Sequence, residues 1–349
     1  MRLASLALAA LALVACHRAT ASPSTTTPSS MVVAMPARAT VDPTPAPTDA
    51  TPQPIRVAIT VDDLPSHGPR PPGVTRLQVH ERLLAAFAAH HVPQVYGFIN
   101  GGREADGDDE RASLAAWVAA GQPLGNHTFS HPRLRDIGLA AYLKEIDANE
   151  AVLAPLMGDD RWRVFRYPYL FEGTDRATTT AIREHLAKTR HRIAEVTIDF
   201  YDWAFNPPYV RCLANHDDTA VQALRDTFLR HAIRVLQWNE AASREIWGRP
   251  VAHILLLHVG AFDAEMIEPL LQAYEDLGVQ WISLDEALED PIYAHLPTAD
   301  GVTQGTLVDL AIEVEHAPHP PWFEHPDALL AALCKEPQPP QPRPSSRRR

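Results

Sequence analysis

The stretch Ile55-Arg56-Val57-Ala58-Ile59-Thr60-Val61-Asp62-Asp63 is an apolar run that closes on two adjacent carboxylates. It reads as a β-strand over Ile55 to Val61 with its acids at the C-terminal end. Further along, Asn126-His127-Thr128-Phe129-Ser130-His131-Pro132 supplies two imidazoles four residues apart. One aspartate and two histidines make three ligands for a divalent cation and leave a coordination position for water, the opening that a catalytic ion needs. The other aspartate is then free to act as a base.

From that first strand to residue 290, short apolar strands alternate with amphipathic helices, the pattern of a parallel α/β architecture. A helix over 74–91 carries Leu77, Leu84 and Phe87 on one face, and a strand over 95–99 follows. A helix over 112–120 precedes a short strand ending near Asn126, and Leu139, Tyr142, Leu143, Ile146 and Leu153 mark the next helical stripe. Strand 164–166, helix 176–190, strand 193–198 and the long helix 219–247 come next, the last stopped by Gly248 and Pro250. Strand 253–258, a helix ended by Gly278, strand 280–284 and a short closing helix complete the series. About seven strand–helix units suit an incomplete (β/α) barrel.

The polar residues fall in telling places. Asp62, Asp63, His127, Arg166, Asp202 and His258 lie at or just after the C-terminal ends of these strands, on the rim where a parallel barrel gathers its active-site groups. Alternation along strand 253–258 puts Leu256 on the same face as His258 and turns His253 to the other.

The 349 residues are 46% hydrophobic, ample for a large core. A net charge of −12 argues against a nucleic-acid partner, despite the terminal Arg347-Arg348-Arg349. Residues 1–15 hold an apolar run too short to span a bilayer but suited to an export signal, closing on Leu13-Val14-Ala15-Cys16. That ending resembles the lipobox of bacterial lipoproteins, which implies lipidation of Cys16 and an exported protein anchored to a membrane of the cell envelope. Residues 16–54, rich in Pro, Thr and Ser, read as a disordered tether, and 336–349 as a disordered Pro/Arg-rich tail. The remaining divisions are a domain over 55–290 and a C-terminal extension over 291–335. With Cys16 lipidated, Cys212 and Cys334 are left either as a disulfide or as two buried thiols.

The ordered set Thr60-Val61-Asp62-Asp63, His127-Thr128-Phe129-Ser130-His131, Arg166-Tyr167-Pro168-Tyr169, Asp202-Trp203 and Leu256-Leu257-His258 resembles the five motifs of the polysaccharide deacetylases, carbohydrate esterase family 4. The resemblance spans about Arg56 to Leu288 and implies a distorted (β/α) barrel that removes acetyl groups from glycans with a divalent metal, zinc first, with cobalt or nickel as alternatives. It implies that Asp63, His127 and His131 hold the metal, that Asp62 is the base and that His258 is the acid. Arg166 and Asp202 would orient Asp62 and His258 and keep them charged. The backbone N–H of Tyr169 would serve the oxyanion, and Trp203 and Leu256 would wall the acetyl pocket. The partner so implied is an acetylated polysaccharide or oligosaccharide.

Two departures stand out. Val61 replaces a frequent Phe, and Leu170 stands where many members have Gly, which puts the conformation of the Tyr169 loop in question. Taken singly, each motif has a plainer reading: the aspartates as a solvated turn, Arg166 as a structural ion-pair partner, Asp202 as a turn residue, His258 as a core histidine. Their joint order reverses that balance. His80, His90, His185 and His231 lie on helices and read as solvated or incidental, and His316, His319 and His325 do not read as a second metal site. Competing functions are an O-acetyl ester hydrolase acting on xylan-type glycans, a non-haem iron oxygenase built on the same two histidines and carboxylate, and a lipoprotein that binds zinc without catalysis. The iron enzyme leaves Asp62, Arg166 and His258 without a role.

Overall fold

The computed structural model describes residues 53–335. The signal-like run, Cys16, most of the tether and the Arg-rich tail lie outside the described residues.

Strand β1 (Ile55–Leu64) is the axis of the molecule. Along one edge Arg56 to Asp62 pair with Ala252 to His258 of β7 (Ala252–His258), a register that sets Asp62 directly opposite His258. Along its other edge the upper half pairs with β2 (Tyr96–Ile99) and the base with β8 (Val279–Trp281). Beyond β2 come β3 (Leu124–Asn126), β4 (Val164–Phe165) and β6 (Arg192–Ile193), giving the order β6-β4-β3-β2-β1-β7 with β8 against β1. All seven strands run parallel, as the alternating sequence pattern requires. The sheet curls until the chain beyond β6 meets β7, where the amides of Thr197 and Ile198 donate to the carbonyl of Ile254 and that of Leu256 donates to Ile198. A single bridge, Ile198 to Leu255, marks this closure, so the barrel is distorted.

Alternation along the strands sorts two apolar layers. Ala58, Tyr96, Phe98, Val164 and Ile254 fill the inside, while Val57, Ile59, Val61, Leu255 and Leu257 face the helices. Each such buried Val, Leu, Ile or Phe side chain contributes roughly 1.5–3 kcal/mol relative to exposure. The helices begin where their sequences cap them: Thr75 and Gln78 form a capping box before Arg76–Ala89, and Asp217 caps Asp218–Trp247, which ends at Gly248 with φ 68°.

Besides strand 193–198, which is reduced to Arg192–Ile193, three features depart from the sequence reading. A separate helix, Asn206–Ala214, precedes the long one; its two prolines sit in the first turn, where a missing N–H costs nothing. His80 and His231 are buried rather than solvated. The inner face of its helix turns His80 edge-on to Trp117 at 5.9 Å, and burial pushes its pKa down to about 4. Residues 291–335, for which periodicity gave no elements, are ordered against the barrel. Strand β9 (Thr303–Gln304) pairs antiparallel with β5 (Phe171–Gly173), the helix Leu307–Glu315 follows, and Asp327–Ala332 leads to a disulfide between Cys334 and Cys212.

Candidate active site

At the C-terminal rim the strand ends converge as the topology demands. Asp62 and Asp63 lie in the last residues of β1, just before its end at Leu64, His127 follows β3, Arg166 follows β4 and His258 ends β7. Asp62, Asp63, His127, His131, Tyr169, Trp203, Leu256 and His258 line one cleft, and Arg166 and Asp202 are buried directly behind it. Every described residue of the sequence-derived set is thus in or against the same mouth. Cys16 lies outside the described residues.

Asp63, His127 and His131 offer ligand atoms that all lie within 4.8 Å of one another. Asp63 Oδ1 is buried without a hydrogen-bond donor, 3.4 Å from His131 Nε2 and 3.8 Å from His127 Nε2. His127 Nδ1 donates to the carbonyl of Arg166 at 2.9 Å, so its Nε2 carries the free lone pair. Burial, aided by His131, holds the His127 pKa well below the ordinary imidazole value, and burial brings His131 down to about 4. Two neutral imidazoles thus face a carboxylate oxygen that has no donor of its own. Such a set fits a divalent cation, which would satisfy the donorless Asp63 Oδ1.

The backbone here is unusually constrained. Asp63 (φ 67°), Thr128 (φ 65°), His131 (φ 57°), Tyr169 (φ 60°) and Leu170 (φ 47°) all occupy the left-handed region without being glycine, at a cost on the order of 1–3 kcal/mol each. A net of buried amides over-determines the histidine loop. Asn100 Nδ2 donates to the carbonyls of His127 and Thr128, Asn126 Oδ1 accepts from the Thr128 amide, and Asn149 Nδ2 donates to Asn126 Oδ1. Leu170 adopts the conformation that a glycine would reach freely. Its side chain packs on Val196 and Leu256, and its carbonyl accepts from Gly305 next to β9.

Asp62 is held differently. Arg166 Nη1 reaches both of its oxygens, at 3.2 and 3.3 Å, while Nε donates to the Ala194 carbonyl, Nη2 donates to Thr60, and the guanidinium lies 4.7 Å from the Phe98 ring centre. Burial outweighs the arginine and raises the Asp62 pKa to about 6, close to ideal for a base working near neutrality. Burial alone would push His258 down. The charge and hydrogen bond of Asp202, 2.8 Å from His258 Nδ1, override it together with Asp63 and Asp62 and raise its pKa to about 10. Nε2 of a protonated His258 is then left to face the cleft.

A family model described as polysaccharide deacetylase matches residues 49–181, which contain the two aspartates, both metal-competent histidines and Arg166. Over that stretch the chain is similar to the polysaccharide deacetylases. Among solved structures it is similar to a family 4 carbohydrate esterase from Streptomyces lividans in complex with acetate (23% identity, 66% of this chain, 95% of that one, TM-score 0.41). It is also similar to peptidoglycan deacetylase PdaC from Bacillus subtilis (18%, 69% and 93%, TM-score 0.43). A third is a CE4 family pseudoenzyme from Bacillus anthracis (16%, 68% and 67%, TM-score 0.47). No curated protein matches the chain.

Around the family motifs, the structure adds residues that the sequence did not single out. His67 Nδ1 donates to Asp63 Oδ2 at 2.7 Å, so Asp63 is held by one oxygen and leaves Oδ1 to the cluster. Burial opposes ionisation of Asp63, but the His67 bond leads the groups that bring its pKa well below the usual carboxylate range. Asp263 is buried beside Asp202. Burial and the Asp202 charge keep its pKa well above the ordinary value, and a protonated Asp263 would offer Asp202 an O–H donor. His67 stands only four residues beyond Asp63, a spacing that could have drawn attention; Asp263 sits in a helix and carries no local signal.

Proposed function

We propose that the protein is a metal-dependent hydrolase that removes acetyl groups from N-acetylated sugars of an envelope or extracellular polysaccharide, working from a membrane to which Cys16 anchors it. The observation that carries this reading is the juxtaposition at one rim of a cation-shaped hollow, Asp63 Oδ1 facing two neutral imidazoles, and a separate carboxylate whose pKa lies near 6.

Asp63, His127 and His131 would hold the ion, zinc being the expected metal with cobalt or nickel as alternatives. When bound there, a divalent cation supplies Lewis acidity toward an acetyl carbonyl and lowers the pKa of water. Asp62 accepts the proton of the attacking water as its oxygen joins the carbonyl carbon. The backbone N–H of Tyr169 donates to the oxygen on which negative charge grows. His258 Nε2 then gives its proton to the sugar nitrogen as the carbon–nitrogen bond breaks, because an amide anion is too basic to depart unassisted. Acetate and a free amine result. Arg166 fixes the Asp62 carboxylate in position, Asp202 holds His258 protonated and oriented, and Leu256 and Trp203 enclose the methyl group.

The test is acetate release from a panel of N- and O-acetylated glycans by the purified protein, with chelator and then with zinc, cobalt or nickel restored. Release from N-acetyl substrates that chelation stops and metal restores is the expected result. No chelator-sensitive release from any glycan would overturn the proposal. Localisation is checked separately: the Cys16→Ser variant should leave the membrane fraction for the soluble one.

A further inference from the structure

The cleft of about 740 Å³ that holds the acid–imidazole cluster extends well past the residues of the proposed hydrolysis. Its far wall is made by Trp238 of the long helix and by Trp322, Phe323 and His325 of the C-terminal extension. Tyr169, Tyr201, Trp203 and Trp322 are the exposed large aromatics of the described residues, and all four line this one cleft. Scattered apolar residues on a surface need no explanation; this concentration does. Trp322 remains 57% exposed even though Trp238 stacks on it at 4.7 Å with the rings 24° apart. These rings are held in place. Trp238 Nε1 donates to the Pro321 carbonyl, Tyr201 packs edge-on against His325 at 5.0 Å, and the end of the extension is tied down at Cys334.

The charge around the rings is one-sided. Asp309 and Glu313 on the helix Leu307–Glu315 line the same cleft, and among the described residues its only lysine or arginine is Arg133, which lies over Tyr169 at 4.3 Å. Acids at the rim repel polyanions and accept neutral or cationic chains. The negative face of an aromatic ring attracts the polarised C–H groups on the flat side of a pyranose, while hydroxyls stay in contact with water.

We propose that the C-terminal extension, with Trp238 and Tyr201, forms a preorganised platform for further sugar units of a neutral or amine-bearing oligosaccharide, so that the protein recognises a run of hexosamines rather than one acetylated sugar. The proposal deepens the deacetylase reading and rests on it for the identity of the chain that enters the cleft. It also explains the acidic rim. Deacetylation turns each acetamide into an amine that is cationic at neutral pH, and a chain already processed can still be held beside Asp309 and Glu313.

The test separates binding from turnover. Calorimetric titration of the full chain, stripped of metal by chelator, compares a hexamer of N-acetylglucosamine, the corresponding dimer, a hexamer of glucosamine and a hexuronate of equal length. Wild-type protein should bind both hexosamine hexamers more tightly than the dimer and should bind the hexuronate weakest. Trp322→Ala should raise the hexamer Kd about five- to tenfold and shrink the hexamer-to-dimer ratio, whereas Trp322→Phe, which keeps a ring, should lose less. Glu313→Lys should weaken glucosamine hexamer more than its N-acetyl counterpart. Equal hexamer affinity in wild type and Trp322→Ala, or a hexuronate bound as well as the hexosamines, would overturn the platform. Because these titrations need no turnover, absence of acetate release from every glycan would strike the hydrolytic reading alone.

Discussion

His127 and His258 reach the same cleft from two different strands, and their surroundings set them in opposite protonation states. His127 gives its one ring proton to the Arg166 carbonyl and lies deep in a neutral pair with His131, where burial expels a second proton. His258 is bound through Nδ1 to Asp202, and that carboxylate, with Asp63 and Asp62, holds the second proton against burial. The lesson lies in what each ring faces. A carbonyl dipole fixes a tautomer but cannot compensate a buried positive charge, whereas a buried carboxylate can. One imidazole is thereby prepared to ligate a cation, the other to donate a proton, and Asp62 sits between them, 3.7 Å from His127 Nε2 and paired in register with His258.

The largest effects should come from the two aspartates that β1 delivers together. Asp62→Asn removes the proposed base but none of the cluster, so acetate release should fall about 10²–10⁴-fold while calorimetry still finds one equivalent of metal. Asp63→Asn should instead abolish stoichiometric metal uptake. Equal metal affinity in Asp63→Asn and wild type would break the distinction between the aspartates at once.

Asp202→Asn tests the other side. With His258 raised to about 10, the stabilisation from its protonated form is fully present below the ordinary imidazole value near 6.5 and is lost as pH rises through 10. The acid must be protonated to act, so wild-type activity should persist into alkaline solution. Without Asp202, only Asp63 and Asp62 oppose burial, and the alkaline limb of the pH–rate profile should move to lower pH, with a loss on the order of 10²-fold at pH 8. An unmoved alkaline limb would show that Asp202 does not set the state of His258. A smaller effect belongs to His67→Ala. Loss of the bond that fixes Asp63 should weaken metal affinity about 10–100-fold, read by competition with a chromophoric chelator, and His67→Asn should recover part of it.

The sequence made the rim legible because strand ends carry two signals at once, an apolar run and the polar residue that closes it. Asp62, Asp63, His127, Arg166 and His258 could all be placed in that way, and seven parallel strands follow from the same alternation. What it could not show has partners distant along the chain. The amides of Asn100, Asn126 and Asn149 look ordinary singly and form a net only once β2, β3 and the helix Leu139–Met157 are adjacent. Burial of His80 and His231 depends on which helical face turns inward, and their helices gave that face no clear margin over a solvated one. The extension was opaque for a third reason: its short β9 strand gains meaning only from β5, and its aromatic residues only from the cleft they enclose.

The smallest expected effect concerns the loop that touches both centres. Tyr169 packs against His131 with ring centres 4.5 Å apart, and the neighbouring Leu170 packs against Leu256, two residues before His258. Replacing Leu170 with Gly should release the strain of its left-handed backbone, roughly 1–2 kcal/mol, and give up a buried leucine worth about 1.5–3 kcal/mol. The two nearly offset, so thermal unfolding should shift downward by only a few degrees. The informative readout is elsewhere. If the loop merely carries the Tyr169 amide, Leu170→Gly lowers kcat and leaves both metal affinity and the alkaline limb of the pH profile in place. If metal affinity and the alkaline limb move together, the two imidazole centres are mechanically coupled through residues 169 and 170, and their opposite proton states are one property of the mouth rather than two.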